Sequence, residues 1–219
     1  IPDDLNGWAH FGWLCYKTNN TEFGINELLL HLDQIGPDPA VYASLANLYT
    51  AEFNYPKARH YYSEAIRIAE SRNLVSAAAI YYYNRAILEE IFNNFDKAYS
   101  DTITSLQLDP SSSGILLKAE LELRKQNFTQ ALASYIKADQ KILSPLVILG
   151  IADTYLQAGY PESAHRYINS ISSVTDDSWI ADYGLTVDQF KAAVHNQYRN
   201  IYQFYLVKEK RLIIHNLST

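Results

Sequence analysis

Six histidines, one cysteine and a few adjacent carboxylate pairs are the side chains of this 219-residue sequence best equipped for chemistry. A metal site built on one helix asks for ligands one turn apart, and His10, His31, His60, His165, His195 and His215 are scattered with no two at that spacing. Cys15 lies in an apolar context, which predicts a small core residue in place of a reactive thiol. The pairs Glu89-Glu90 and Asp176-Asp177 are adjacent in sequence, so on a helix their carboxylates diverge, and they are expected on solvated faces. No glycine-rich phosphate loop, G-x-S-x-G, H-E-x-x-H or paired-cysteine motif occurs. The expectation is therefore no metal, no cofactor and no catalysis.

Composition narrows the remaining classes. With 48 % apolar and 19 % charged residues the chain folds around a substantial core. No apolar run reaches the roughly 18 to 20 residues a membrane span needs. The formal charge of −6, with both signs interspersed, lacks the basic stripe that phosphate neutralisation requires, so nucleic acid is excluded as a main ligand. One cysteine closes no internal disulfide and leaves the compartment open. The sequence begins at Ile1 and contains no methionine, which predicts a processed product or a domain of a longer protein. Low lysine content and abundant Tyr, Asn and Ser lean toward an exported, periplasmic bacterial protein, with a cytoplasmic one as the alternative.

The element pattern is an internal repeat. Ala58, Ala98, Ala131 and Ala164 are separated by 40, 33 and 33 residues, and each follows a turn-like run such as Asn54-Tyr55-Pro56-Lys57 or Asn94-Phe95-Asp96-Lys97. A unit of this length cannot bury its apolar face alone and must stack on its neighbours. From Pro39, the residues Tyr42, Leu45, Ala46 and Tyr49 recur at helical spacing, and Ala58, Tyr62 and Ala65 do so after the turn, which predicts a helical hairpin. Proline is tolerated in the first turn of a helix but not within it, so Pro56 places the break.

These hairpins resemble the tetratricopeptide repeat (TPR) family, with its Trp-x2-Leu-Gly-x2-Tyr first helix and its Ala, aromatic, Ala second helix. The clearest first half is Trp8-Ala9-His10-Phe11-Gly12-Trp13-Leu14-Cys15-Tyr16. Its second half departs, with Gly24, Leu28 and His31 in the small and aromatic positions, and reads as a degenerate, end-capping repeat. Repeats are expected near 5–38, 39–72, 79–111, 112–144 and 145–178. The third carries Tyr82, Ala86 and Ala98, the fourth Ile115, Ala119, Ala131, Tyr135 and Ala138, and the fifth Ile148, Ala152, Tyr155, Gly159 and Ala164. The insertion 73–78 is rich in helix formers and predicts longer helices there. Residues 179–219 are expected to hold a capping helix and tail, from the apolar stripe Val187, Phe190, Val194, Ile201, Tyr202 and Tyr205.

The resemblance implies an all-α, right-handed solenoid of about five hairpins, with the first helix of each lining a concave groove. It places Trp13, Asn47, Tyr83, Asn84, Ile87, Leu116, Glu120, Leu149 and Asp153 on or near that groove. Asn47 and Asn84 match the asparagines with which some members hold the terminal carboxylate of a partner peptide. The cations of that clamp do not match, since Ala43, Ser113 and Leu117 stand in their places. Without them, charge-assisted carboxylate capture is disfavoured, and an amphipathic helix or extended peptide with some positive charge suits the groove better. The expected function is a non-catalytic scaffold or adaptor binding a protein or peptide. The alternative is self-association, as a homo-oligomer or by docking to other domains of the parent chain, motivated by the eighteen tyrosines. A further expectation is that residues 186–214 fold back to occlude the groove.

Overall fold

A computed structural model describes residues 5–139 and 145–170. The expected capping helix, the tail and the occluding role of 186–214 lie outside the described residues, as does Asp176-Asp177. Ten helices are described: α1 (Leu5–Lys17), α2 (Thr21–Ile35), α3 (Pro39–Ala51), α4 (Tyr55–Ser71), α5 (Val75–Ile91), α6 (Phe95–Leu108), α7 (Ser112–Arg124), α8 (Phe128–Asp139), α9 (Pro145–Gln157) and α10 (Pro161–Ser170). The architecture is all-α, built of successive helical hairpins. The chain divides into two compact units, whose described parts are 5–114 and, after them, 115–139 with 145–170.

One turn geometry closes every described hairpin. Asn19, Phe53, Asn93, Gln126 and Gly159 all have φ between 56° and 86°, the left-handed region. The residue after each sends its N–H back five residues: Asn20 to Cys15 O, Asn54 to Tyr49 O, Asn94 to Glu89 O, Asn127 to Glu122 O and Tyr160 to Tyr155 O, at 2.7 to 2.9 Å. The left-handed residue itself bonds three residues back, as Phe53 N does to Thr50 O. This is the Schellman pattern, which satisfies the carbonyls a helix end would orphan. Asn73 repeats it between α4 and α5, so the chain resumes helix at Val75, inside the stretch 73–78.

Entry into the next helix is fixed as locally. Asp38 Oδ1 accepts from Ala40 N at 2.8 Å and Val41 N at 3.2 Å, with Pro39 in the first turn. Asn54 Oδ1 accepts from Lys57 N at 3.3 Å, with Pro56 in the first turn of α4. Ala58, Ala98, Ala131 and Ala164 are each fully buried at the first turn of a second helix, where a small side chain lets two backbones approach.

In the first unit the core gathers Trp8, Cys15, Leu28, Val41, Leu45, Leu48, Tyr49, Ala58, Tyr62 and Leu88 from α1 to α5. The departures from the repeat pattern in α2 are its buried residues: Gly24, Leu28 and His31. Gly24 is required because a Cβ there would meet Cys15 Cβ at 2.7 Å, and the His31 ring lies 4.0 Å from that of Trp8. In the second unit Tyr135 of α8 is fully buried against Gly150 of α9, whose backbone leaves no room for a Cβ beside the ring.

Candidate functional site

All nine residues placed on the groove fall on first helices of hairpins. In the first unit these are Trp13 on α1, Asn47 on α3, and Tyr83, Asn84 and Ile87 on α5; in the second they are Leu116 and Glu120 on α7, and Leu149 and Asp153 on α9. Trp13, Asn47 and Leu116 are half-buried, while Tyr83, Asn84, Ile87, Glu120 and Asp153 are buried. Asp153 Oδ1 accepts from Gln157 Nε2 at 2.9 Å, one turn along α9.

The two asparagines differ in a way their shared motif position does not foretell. Asn47 Oδ1 is taken: the hydroxyl of Tyr62, a fully buried residue of α4, donates to it at 2.5 Å. Burial holds the Tyr62 hydroxyl protonated far above the ordinary phenol range, which keeps it a donor. Asn84 is 3 % exposed, and its Oδ1 is the buried side-chain oxygen, among the described residues, with no hydrogen-bond partner. Such an oxygen forfeits about 1 to 3 kcal/mol until a donor reaches it. Its neighbours along α5 are apolar: Tyr83 beside it and Ile87 one turn on, both buried.

Where a carboxylate clamp would need cations, Ala43 and Leu117 are packed in the interior and Ser113 is half-buried. The Tyr81-Tyr82-Tyr83 run diverges as three successive helical residues must. Tyr83 is buried, Tyr82 donates its hydroxyl to Glu70 Oε1 at 2.8 Å, and burial with the nearby Asp38 carboxylate pushes the Tyr81 phenol up to about 12.

One expectation is overturned. Glu89 and Glu90, expected on a solvated face, are both buried, Glu89 at 1 % exposure. For Glu89 the reason is a set of partners distant in sequence. Arg59 Nε donates to Glu89 Oε1 at 2.6 Å, the Tyr55 hydroxyl donates to Glu89 Oε2 at 2.6 Å, and Asn94 Nδ2 donates to the Tyr55 oxygen at 2.8 Å. A second tie joins the same hairpins. Arg85 of α5 pairs with both oxygens of Asp101 on α6, at 2.7 and 2.8 Å, and gives a third bond to Ser63 Oγ of α4 at 3.0 Å. These networks were not found from sequence, since nothing local marks a carboxylate whose cation is 30 residues away. Cys15 is buried as expected, and burial first, then the Glu27 carboxylate, pushes its thiol up.

The hairpin succession with its shared turn can be compared with solved structures. A tetratricopeptide repeat protein from Parabacteroides merdae superposes with a TM-score of 0.62 at 17 % identity, covering 97 % of this chain and 85 % of its own. The fold is TPR-like. A structure from a functional characterisation of Pseudomonas aeruginosa PilF gives a TM-score of 0.66 at 19 % identity, covering 95 % of this chain and 91 % of that one. A crystal structure of MamA gives 0.63 at 11 % identity, covering 75 % and 88 %. At identities this low the likeness shows the fold alone. No family model matches the sequence, and no curated protein does.

Proposed function

We propose that this TPR-like protein is a non-catalytic interaction module, a scaffold or adaptor that holds a segment of a partner protein on the first helices of its hairpins. The supporting observation is the Asn84 amide oxygen, buried, unpartnered and flanked by Tyr83 and Ile87. Such an oxygen accepts from any donor brought to it, and the backbone N–H of a segment whose docking displaces the cover over Asn84 would be one. In the first unit the half-buried Trp13 and Asn47 would flank that segment, with the buried Tyr83 and Ile87 packed around Asn84. In the second, Leu116, Glu120, Leu149 and Asp153 hold the corresponding positions. The carboxylates among them favour a segment with some positive charge, and the missing clamp cations disfavour capture of a free terminal carboxylate.

The test is affinity capture from the native source with the intact protein and with Asn84→Leu, which keeps the branched shape and removes the amide. A partner retained by the first and lost by the second supports the reading. A partner retained equally by both, from folded proteins, sinks it.

A further inference from the structure

The first hairpin has one flank turned toward α3 and one turned away. Gly12 of α1 meets Ser44, Gly24 of α2 meets Leu48, and Thr21 donates its hydroxyl to the Glu52 carboxylate. Opposite these contacts, Phe11 and Leu14 lie one turn apart on α1, and Phe23 and Leu30 two turns apart on α2. Leu14 is 53 %, Phe23 57 % and Leu30 49 % exposed. An end cap would carry a polar outer surface, and this flank does not. Nor is Phe23 loose. Its ring meets Phe11 edge-on at 6.1 Å, and Phe11 meets the buried Trp8 at 5.6 Å, so an aromatic run from the core fixes the exposed ring.

Charge says what fits there. The charged side chains of α2 are Glu22, Glu27 and Asp33, with no lysine or arginine, and on α1 the one lysine, Lys17, sits over the Trp13 ring, so carboxylates outnumber it on the pair. A second copy joined by a two-fold axis would set α2 against α2 and bring like charges together. A helix with an apolar stripe bordered by Lys and Arg would bury Leu14, Phe23 and Leu30 and face those carboxylates, and two antiparallel helices offer the groove a third packs into. We infer that the outer flank of α1 and α2 is a docking surface for a cationic amphipathic helix of another protein. It shares no residue with the site around Asn84.

The probe is a fluorescent helical peptide of about 18 residues, or five turns, with leucine at i, i+3, i+4 and i+7 and lysine elsewhere, beside a counterpart with glutamate for lysine. Anisotropy titrations use the Asn84→Leu chain, which lacks the proposed contact on the first helices, alone and combined with Phe23→Ser/Leu30→Ser or Glu22→Lys/Asp33→Lys, each checked for helicity. The expected result is saturable binding of the lysine peptide to the Asn84→Leu chain. Each added double substitution should weaken it by about tenfold or more, and the glutamate peptide should bind at least about tenfold more weakly. No binding to the Asn84→Leu chain, equal affinity after the double substitutions, or equal binding of both peptides overturns the inference. So does a dimer in sedimentation that Phe23→Ser/Leu30→Ser dissolves, which assigns the flank to a second copy.

Discussion

Tyr55 on α4 and Glu89 on α5 are joined by a hydrogen bond of 2.6 Å from the phenol to a carboxylate that is 1 % exposed. The bond crosses between consecutive hairpins, and it makes the Tyr55 proton part of the packing. Burial first, then the bond to Glu89, pushes the phenol up to about 12. A group whose folded pKa is raised binds its proton more tightly folded than unfolded. Its contribution is therefore complete below the unfolded value near 10 and is lost as pH climbs toward 12. Urea unfolding at pH 8, 10 and 11.5 should show stability falling over that window, and Tyr55→Phe should be less stable at pH 8 but lose less on alkalinisation. Parallel curves for the two proteins would show that the bond is not coupled to folding.

Glu89 itself should be costly to truncate. Glu89→Ala leaves the Arg59 guanidinium and the Tyr55 hydroxyl without their acceptor, and a loss of about 1 to 3 kcal/mol is expected. Arg59 is 43 % exposed, so water screens its share and keeps the loss at the lower end of what a buried ion pair can show. Chemical denaturation of the two proteins measures the difference.

Phe53 is an exposed aromatic residue at φ 56°, a backbone region that costs a residue with a Cβ about 1 to 2 kcal/mol. Phe53→Gly removes that cost at a turn where Phe53 contributes backbone hydrogen bonds only, and should raise stability by about 0.5 to 1 kcal/mol after glycine's extra unfolded-state entropy. A lowered denaturation midpoint would mean that the ring makes a compensating contact.

Gly150 tests packing in the second unit. A methyl group there overlaps the ring of the fully buried Tyr135, so Gly150→Ala should destabilise by about 1 to 3 kcal/mol although alanine is the better helix former. The same substitution in combination with Tyr135→Leu should recover part of the loss.

Asn84→Leu should do two opposite things. Removing an unsatisfied buried oxygen raises stability by about 1 to 3 kcal/mol, while the proposed partner is lost. Thermal melts and capture on the same preparation read both, and a destabilised Asn84→Leu protein would show that the amide is needed by the fold.

Positions governed by steric size were legible before the structure. Ala58, Ala98, Ala131 and Ala164 announce close helix contacts, because any larger side chain would separate the backbones, and the Pro39 and Pro56 boundaries follow from a missing N–H. Asn47 and Asn84 looked equivalent because a motif records residue type and place. What distinguishes them is whether another helix sends a donor, and Tyr62 reaches only Asn47. Glu89 was misread for the same reason, since its burial depends on Tyr55 and Arg59 across a hairpin boundary. The left-handed turns at Phe53 and Gln126 carry no glycine to reveal them; there the five-residue backbone bond outweighs the side-chain preference.

The burial of Cys15 has a meaning beyond packing. The chain has no methionine, so this thiol is its one sulfur atom, enclosed between α1 and Gly24 of α2 and kept from its thiolate form. Peroxide attacks exposed thiolates and thioethers first, and the folded chain presents neither. Sulfur oxidation of the hairpins would therefore wait on unfolding, a property carried by the placement of a single side chain.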